Sequence, residues 1–447
     1  MEATNIILIV LDTLRKDYGE KYLHPILKKY GFNYYSNTIA PAPWTTPSHA
    51  SIFTGLYPAL HGAHETKKYK SDKVKLLHNN ILTRELKLLG YSNYLLSANM
   101  FVTPYFGFVG FDKVVVPTKK FPRILSKRES KKLQRYSSTN SIQTAFKLLE
   151  HGEFLLLLKA SIQKVILDNY LTLKVYGKLR KWPLDLGLSE FTQWISSFKF
   201  KSPMFMTINL MEMHEPYPTL PKSSVINYQT VKSWVGKPSE KIVTGYKKGY
   251  EMEIKYLSEN LPKLLNALKK KGLFDNSLVI ILSDHGQLLG EHGKINHGTF
   301  LYDELIQVPL WIKYPWESEP VKCSNGYISL TKIRDLIIDV AEGRYYNDKK
   351  LYSSTVFSEV YGTHIDYSRM NLSHEELEKI RELEKYRIAV YYKNFKGIFN
   401  VTDWKFDEVI SYDPGIEVTE DVVKHLKKEV MKFLKTATIA KVPKIKV

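Results

Sequence analysis

A single cysteine, Cys323, stands in 447 residues, which excludes an internal disulfide and any cysteine-based metal site. Long apolar runs are equally scarce. The longest, Ile6–Leu11 and Phe154–Leu158, fall far short of the roughly 20 residues that span a bilayer. No basic region precedes Ile6–Leu11, and the run leads straight into Asp12, so it reads as a buried strand and not as a secretion signal. These absences make a soluble, cytoplasmic protein the expectation. Internal repeats and low-complexity tracts are missing too. Acidic residues are in deficit: 46 Asp and Glu against 65 Lys and Arg leave a formal charge of +19.

With 44% hydrophobic residues, a chain of this length can bury a sizeable core. Basic residues occur along the whole chain, so most of the charge reads as a solvated surface. One stretch departs from this, Lys119–Arg135, with eight Lys or Arg against Glu129 alone. Such a run suits an acidic membrane face or nucleic acid. It has few interleaved aromatics and matches no nucleic-acid module, so no specific nucleic-acid binding is expected. A solvated helix or loop is the first reading, and peripheral membrane contact is the competing one.

Four continuous apolar runs read as buried parallel strands: Asn5–Leu11, Met204–Leu210, Ser277–Leu282 and Val308–Tyr314. Helical patterns lie between them at Ile81–Leu89, Ser141–Leu149 and Glu251–Lys271, the last ended by Gly272. This alternation predicts an α/β fold, a doubly wound and mostly parallel sheet flanked by helices. Polar residues just past such strands gather at the carboxyl edge of the sheet, where ligands bind. Asp12, then Glu212 and His214, then Asp284 and His285 all stand there. The catalytic unit is expected over residues 1–385. Residues 117–200 read as a basic, helical insertion beside the active-site edge, helical in character at Phe154–Leu171. A small C-terminal α+β subdomain is expected over 386–447, with a hairpin of Ile388–Lys393 and Lys396–Thr402 turning at Asn394-Phe395, then a helix over Thr419–Leu434.

Two stretches carry chemistry. In Pro43–Gly55, Thr45 precedes a Pro suited to the first turn of a helix, and Gly55 can end that helix. A hydroxyl there faces free N–H groups and the positive end of the helix dipole, a setting for an anionic ester. The plain alternative is that Thr45 or Thr46 only caps the helix. In the second stretch a strand ends in Ser283-Asp284-His285-Gly286, followed by Glu291-His292-Gly293 and Asn296-His297-Gly298. Adjacent Asp and His ligands suit zinc, manganese or iron.

Together these residues resemble the sulfatase family of the alkaline-phosphatase superfamily. Thr45-Thr46-Pro47-Ser48-His49 resembles its signature Cys/Ser-x-Pro-x-Arg. The Ser283–Gly293 stretch resembles its second metal-ligand segment, and Gly90–Asn99 and His214-Glu215-Pro216 resemble shorter landmarks. The resemblance implies an alkaline-phosphatase-like fold and a divalent metal (zinc, manganese or calcium) held by Asp12, Asp284 and His285 and touched by Thr45. It also implies Thr45 as nucleophile, His214 and His297 at the leaving group with either as general acid, and Asn99 and His49 contacting substrate. Thr13 stands where many sulfatases have a further ligand Asp.

Two departures bear on the reaction. Sulfatases oxidise their signature Cys or Ser to formylglycine, and threonine cannot become that aldehyde. His49 for Arg and Ala98-Asn99 for a Lys remove cations that would bind sulfate. Family members with Thr, such as phosphodiesterases and phosphonate monoester hydrolases, point to phosphate esters. The expected activity is metal-dependent hydrolysis of a phosphate or sulfate ester, with phosphate favoured, on an anionic small-molecule, lipid or glycan substrate. A sulfatase without formylglycine, a phosphotransferase to an acceptor other than water, and an inactive binding module stay as alternatives.

Overall fold

A computed structural model describes residues 4–64, 74–78, 81–117, 125–136, 141–164, 184–221, 223–315, 326–344, 346–368 and 370–437. Cys323, part of Lys119–Arg135 and the end of Phe154–Leu171 lie outside these residues. The centre is a nine-stranded sheet. Its strands are β1 (Asn5–Leu11), β2 (Asn33–Ile39), β3 (Ser92–Ser97), β4 (Lys113–Val115), β5 (Met204–Leu210), β6 (Ser277–Leu282), β9 (Gln307–Lys313), β10 (Tyr327–Ser329) and β11 (Tyr352–Ser353). They lie in the order β11-β10-β2-β9-β6-β1-β5-β3-β4.

β1 is parallel to both neighbours, with Ile9 opposite Ile208 of β5 and Ile281 of β6. Alternate residues of β1 feed opposite faces. Ile6, Leu8 and Val10 join the core under the helices Thr45–Thr54, Leu82–Leu88 and Lys332–Ala341. Ile7, Ile9 and Leu11 join the core under Leu188–Ser197 and Glu240–Lys270. A strand apolar at every position is what a sheet covered on both faces requires. The expected doubly wound, mostly parallel sheet is therefore the observed one.

Several details differ. The run at Val308–Tyr314 forms β9, which is antiparallel to β2 and β6; a continuous apolar run reports burial on both faces and says nothing of direction. The helix expected from Glu251 begins at Glu240. Its early glycines admit a neighbouring loop: a β-carbon on Gly249 would lie 2.4 Å from Tyr217 Cβ. The end of the 117–200 segment belongs to the main core, where Leu188, Phe191 and Ile195 are buried.

The second sheet has four antiparallel strands in the order β12-β13-β14-β15: Thr355–Tyr361, Tyr386–Tyr392, Phe395–Asn400 and Lys405–Ser411. It takes its edge strand from before residue 386, so the small layer starts earlier than the boundary at 386. The β13–β14 hairpin pairs Tyr392 with Phe395 and turns at Lys393-Asn394, one residue before the expected bend, with Lys393 at φ 50°. The helix Glu420–Ala437 packs Leu426, Val430 and Phe433 against this sheet. A two-stranded ribbon, β7 (Leu288–Leu289) with β8 (Ile295–Asn296), follows β6.

Candidate active site

The carboxyl ends of β3, β5, β1 and β6 lie side by side, and four polar segments begin there. β1 delivers Asp12, whose N–H still bonds Leu210 O of β5 at 3.0 Å. Thr13 follows in a left-handed conformation, φ 61°, that a branched residue holds only when its surroundings fix it. The Tyr250 hydroxyl donates to Thr13 O at 2.7 Å, and Thr13 N–H donates to Asp284 Oδ1 at 3.3 Å. The Thr13 hydroxyl donates to Asp12 O at 2.7 Å.

The buried helix Thr45–Thr54 starts beside Asp12 and ends at Gly55, φ 72°, as its sequence suggests. Its N-cap is Trp44, with no side-chain capping bond, so the Thr45 hydroxyl is not used in capping. Thr45 Oγ1 instead lies 3.3 Å from His285 Nε2 and 3.4 Å from Asn99 Nδ2. Asn99 Nδ2 also donates to Asp12 Oδ2 at 2.7 Å.

Asp284 and His285 leave β6 through a turn that only glycine can complete, since a β-carbon on Gly286 would sit 1.9 Å from Glu304 O. His285 Nδ1–H donates to Gly286 O at 2.9 Å, which turns the Nε2 lone pair inward. His285 Nε2 lies 3.8 Å from Asp12 Oδ1 and 3.5 Å from Asp284 Oδ2. Asp12, Asp284 and His285 offer ligand atoms all within 4.8 Å of one another. Asp12 Oδ1 and Asp284 Oδ2 are buried without a hydrogen-bond donor among the described residues. Two buried carboxylate oxygens left bare beside an inward imidazole nitrogen fit a divalent cation. Burial, then the charge of Asp284, raises the Asp12 carboxyl above its usual range. Burial also works against the Asp284 charge, but His285 and His49 outweigh it and hold that carboxyl low.

His49 stands elsewhere than expected. It is completely buried, with Nδ1 3.3 Å from Asp284 Oδ2 and 3.1 Å from Thr45 O, and Nε2 3.0 Å from Asn209 Nδ2. Both nitrogens are engaged behind the carboxylate, so this geometry leaves no face for substrate. Its Nδ1–H is given to Thr45 O, and the ring backs Asp284 without occupying Oδ2.

A second group, His214, Glu215 and His297, also has its ligand atoms within 4.8 Å. The His297 ring lies 4.6 Å from that of His285 and 5.1 Å from that of His214. His214 Nδ1 donates to Glu215 O at 2.5 Å. Gln287, which no sequence motif marked, is the buried organiser. Its Nε2 donates to Glu215 Oε2, which turns its Oε1 to accept from His297 Nδ1 at 2.6 Å. His364, from the loop after β12, stacks on His297 with ring centres 5.5 Å apart. Burial would lower His214, but Glu215 and Asp12 outweigh it and raise that imidazole. Burial, then the neighbouring histidines His285, His214 and His364, drives His297 well below its usual value. His292 belongs to neither group. It is exposed, 3.1 Å from Glu304 Oε2 and stacked on Tyr302. Glu212, expected at this edge, accepts the Leu186 and Leu188 N–H groups at 3.1 and 2.9 Å.

Lipoteichoic acid synthase of Staphylococcus aureus is 28% identical over 190 residues, 39% of this chain and 27% of that protein. N-acetylglucosamine-6-O-sulfatase of Bacteroides thetaiotaomicron is 40% identical over 70 residues, 16% of this chain and 12% of that protein. The chain thus aligns to well under a third of either relative's length. Among solved structures, a 2-O GAG sulfatase superposes with TM-score 0.62 at 15% identity, covering 99% of this chain and 93% of that one. A phosphonate monoester hydrolase from Silicibacter pomeroyi gives 0.59 at 14%, covering 99% and 97%. At these identities the structures establish the alkaline-phosphatase-like fold. The family model described as Sulfatase matches residues 4–343, and the chain belongs to the sulfatase family.

Proposed function

We propose that this enzyme hydrolyses phosphate esters, phosphodiesters or phosphomonoesters, through a phosphorylated Thr45. The observation that carries the reading is the Thr45 hydroxyl: free of capping duty at a buried helix N-terminus, 3.3 Å from His285 and 3.4 Å from Asn99. A divalent cation held by Asp12, Asp284 and His285 would supply Lewis-acid charge, favouring the Thr45 alkoxide and neutralising an ester oxygen. Thr45 attacks phosphorus in line as the ester oxygen leaves. His214, held towards its protonated form by Glu215 and Asp12, gives that oxygen its proton. The phosphothreonine is then hydrolysed by water. His297, kept neutral with Nδ1–H on Gln287, presents Nε2 to take a proton from that water. A sulfated threonine lacks the second hydroxyl by which formylglycine hydrate expels sulfate, which disfavours sulfate esters.

The test is acid quenching during turnover of bis-p-nitrophenyl phosphate, followed by peptide mapping. A p-nitrophenyl phosphoryl group on Thr45, and loss of turnover by about a thousandfold or more in Thr45→Ala, is the expected result. Turnover undiminished in Thr45→Ala, or p-nitrophenyl sulfate as the preferred ester, rejects the reading. A second reading, transfer of the phosphoryl group to an acceptor other than water, draws on the likeness to lipoteichoic acid synthase. Added glycerol would then divert product from p-nitrophenyl phosphate to glyceryl p-nitrophenyl phosphate.

A further inference from the structure

The 117–200 segment holds sixteen Lys or Arg against six Asp or Glu, so under a fifth of the chain carries more than half of the +19 surplus. Charge is less evenly spread than the whole-chain reading suggests. The described part up to residue 164 forms three helices: Lys127–Tyr136, Ser141–Glu150 and 154–164. Ion pairs Lys159–Glu129 at 2.6 Å and Lys132–Glu153 at 2.5 Å tie the first helix to the third. Tyr136 packs on His151 with ring centres 5.1 Å apart, and Leu148 and Leu156 are buried.

Most other large apolar side chains of the last two helices face outward. Phe146 and Leu149 are 61% and 40% exposed, and Phe154, Leu155, Leu158 and Ile162 are 64%, 65%, 57% and 42% exposed. The three- and four-residue spacings place each set along one helix face. Six such residues within seventeen positions exceed the scatter of single apolar side chains usual on a protein surface. Arg128, Lys131 and Arg135 are exposed on the first helix, again at a spacing that shares one face.

The unit is rooted at the active-site rim. A β-carbon on Gly187 would lie 3.0 Å from Pro117 and 3.2 Å from Ala98, so the chain before and after the three helices meets beside Ala98, next to Asn99 in sequence. Glu212, two residues before His214, anchors Leu186 and Leu188.

We propose that this helical unit docks on an anionic lipid bilayer. Its apolar faces enter the headgroup region, and Arg128, Lys131 and Arg135 meet lipid phosphates, so that the active-site rim faces esters presented at the membrane surface. Apolar residues joined to a cationic face are the composition of an interfacial anchor. Among the described residues no helix is long and apolar enough to cross a membrane. A second copy on the same face would oppose two strongly positive surfaces, which disfavours self-association. The esters that would be presented depend on the phosphate-ester reading; the docking itself does not.

The experiment is co-sedimentation of the full chain with vesicles of phosphatidylcholine, alone or with about 30% phosphatidylglycerol. Binding to the anionic vesicles is expected at least about tenfold above the neutral ones. It should fall about tenfold or more in Phe154→Ser/Leu155→Ser/Leu158→Ser and in Arg128→Glu/Lys131→Glu/Arg135→Glu, with unchanged melting temperatures. Should the apolar variant fail to fold, the charge-reversed one, altered only at exposed sites, decides alone. Wild-type protein that stays in the supernatant, or variants that bind as well as wild type, overturns the proposal. So does a wild-type dimer that the apolar substitutions turn into a monomer, because a second copy then covers the face. Turnover of soluble bis-p-nitrophenyl phosphate, measured in parallel, separates the two readings: binding without turnover leaves docking intact and rejects the phosphate-ester reading, and turnover without binding does the reverse.

Discussion

Where the two sheets meet, Glu359 is buried with both oxygens supplied by donors. The Tyr361 and Tyr386 hydroxyls donate to Oε2 at 2.6 and 2.7 Å, and Ala59 N–H donates to Oε1 at 3.2 Å. Asp348, buried beneath the edge of the large sheet, likewise takes Tyr35 on one oxygen and Tyr314 on the other. At the carboxyl edge, Asp12 and Asp284 are no less buried, yet among the described residues each keeps one oxygen without a donor, beside the same His285 Nε2. The tyrosine-fed carboxylates are parts of the scaffold. A cation between Asp12 and Asp284 would supply what their bare oxygens lack, whereas the tyrosine-fed carboxylates need none.

Removing one carboxylate of each kind should break the comparison in different measurements. Asp284→Asn is expected to lower kcat/KM for bis-p-nitrophenyl phosphate by on the order of a thousandfold with little change in the urea midpoint. Asp348→Ala removes the shared carboxylate acceptor of two buried tyrosine hydroxyls and should cost roughly 3–5 kcal/mol in urea unfolding, with turnover per folded molecule retained. A stable but inactive Asp348→Ala protein, or an unstable Asp284→Asn one, would erase the distinction.

Glu359 sharpens it through pH. Burial pushes its carboxyl up to about 7, and the donors of Tyr361, Tyr386 and Ala59 only partly offset that. A folded-state value above the unfolded 4.5 means that the stabilising contribution is full below pH 4.5 and is lost as pH rises through 7. The loss across that window is about 3 kcal/mol. Unfolding free energies at pH 5 and pH 8 should therefore converge in Glu359→Gln. Parallel pH profiles for wild type and variant would show that Glu359 is ionised throughout.

The bare pair was legible in the sequence because continuous apolar runs stop at Asp12 and at Asp284-His285, and a strand's end fixes where its next residues lie. Thr45 was legible because Pro47 and Gly55 bracket its helix. The role of His49 was not, since its facing the pocket or the back of Asp284 depends on how the helix is rotated. Gln287 and His364 were missed because their effect on His297 is tertiary, joining residues 10 and 67 positions away. The Gly286–Gln287 step after the ligand pair was the only local signal. The direction of β9 was hidden for a related reason, that burial on both faces looks alike in parallel and antiparallel strands.

Asp12→Asn gives the smallest effect and the sharpest sign. With chelator present, the Asp12 carboxyl is raised by burial and by Asp284, so its ionised form at neutral pH costs stability. An Asn there keeps an oxygen for the Asn99 donor, now 2.7 Å from Oδ2, and turns an amide towards the bare Asp284 oxygen. The variant should thus be about 1 kcal/mol more stable than wild type in chelator, opposite in sign to Asp348→Ala. Adding a divalent cation at about a hundred times its Kd should stabilise wild type by about 2.7 kcal/mol and the variant far less, so the order of the two proteins reverses. Urea unfolding with and without manganese measures both. A variant weaker than wild type in chelator would mean that the two carboxylates do not oppose one another, and the case for a cation between them would lose its physical basis.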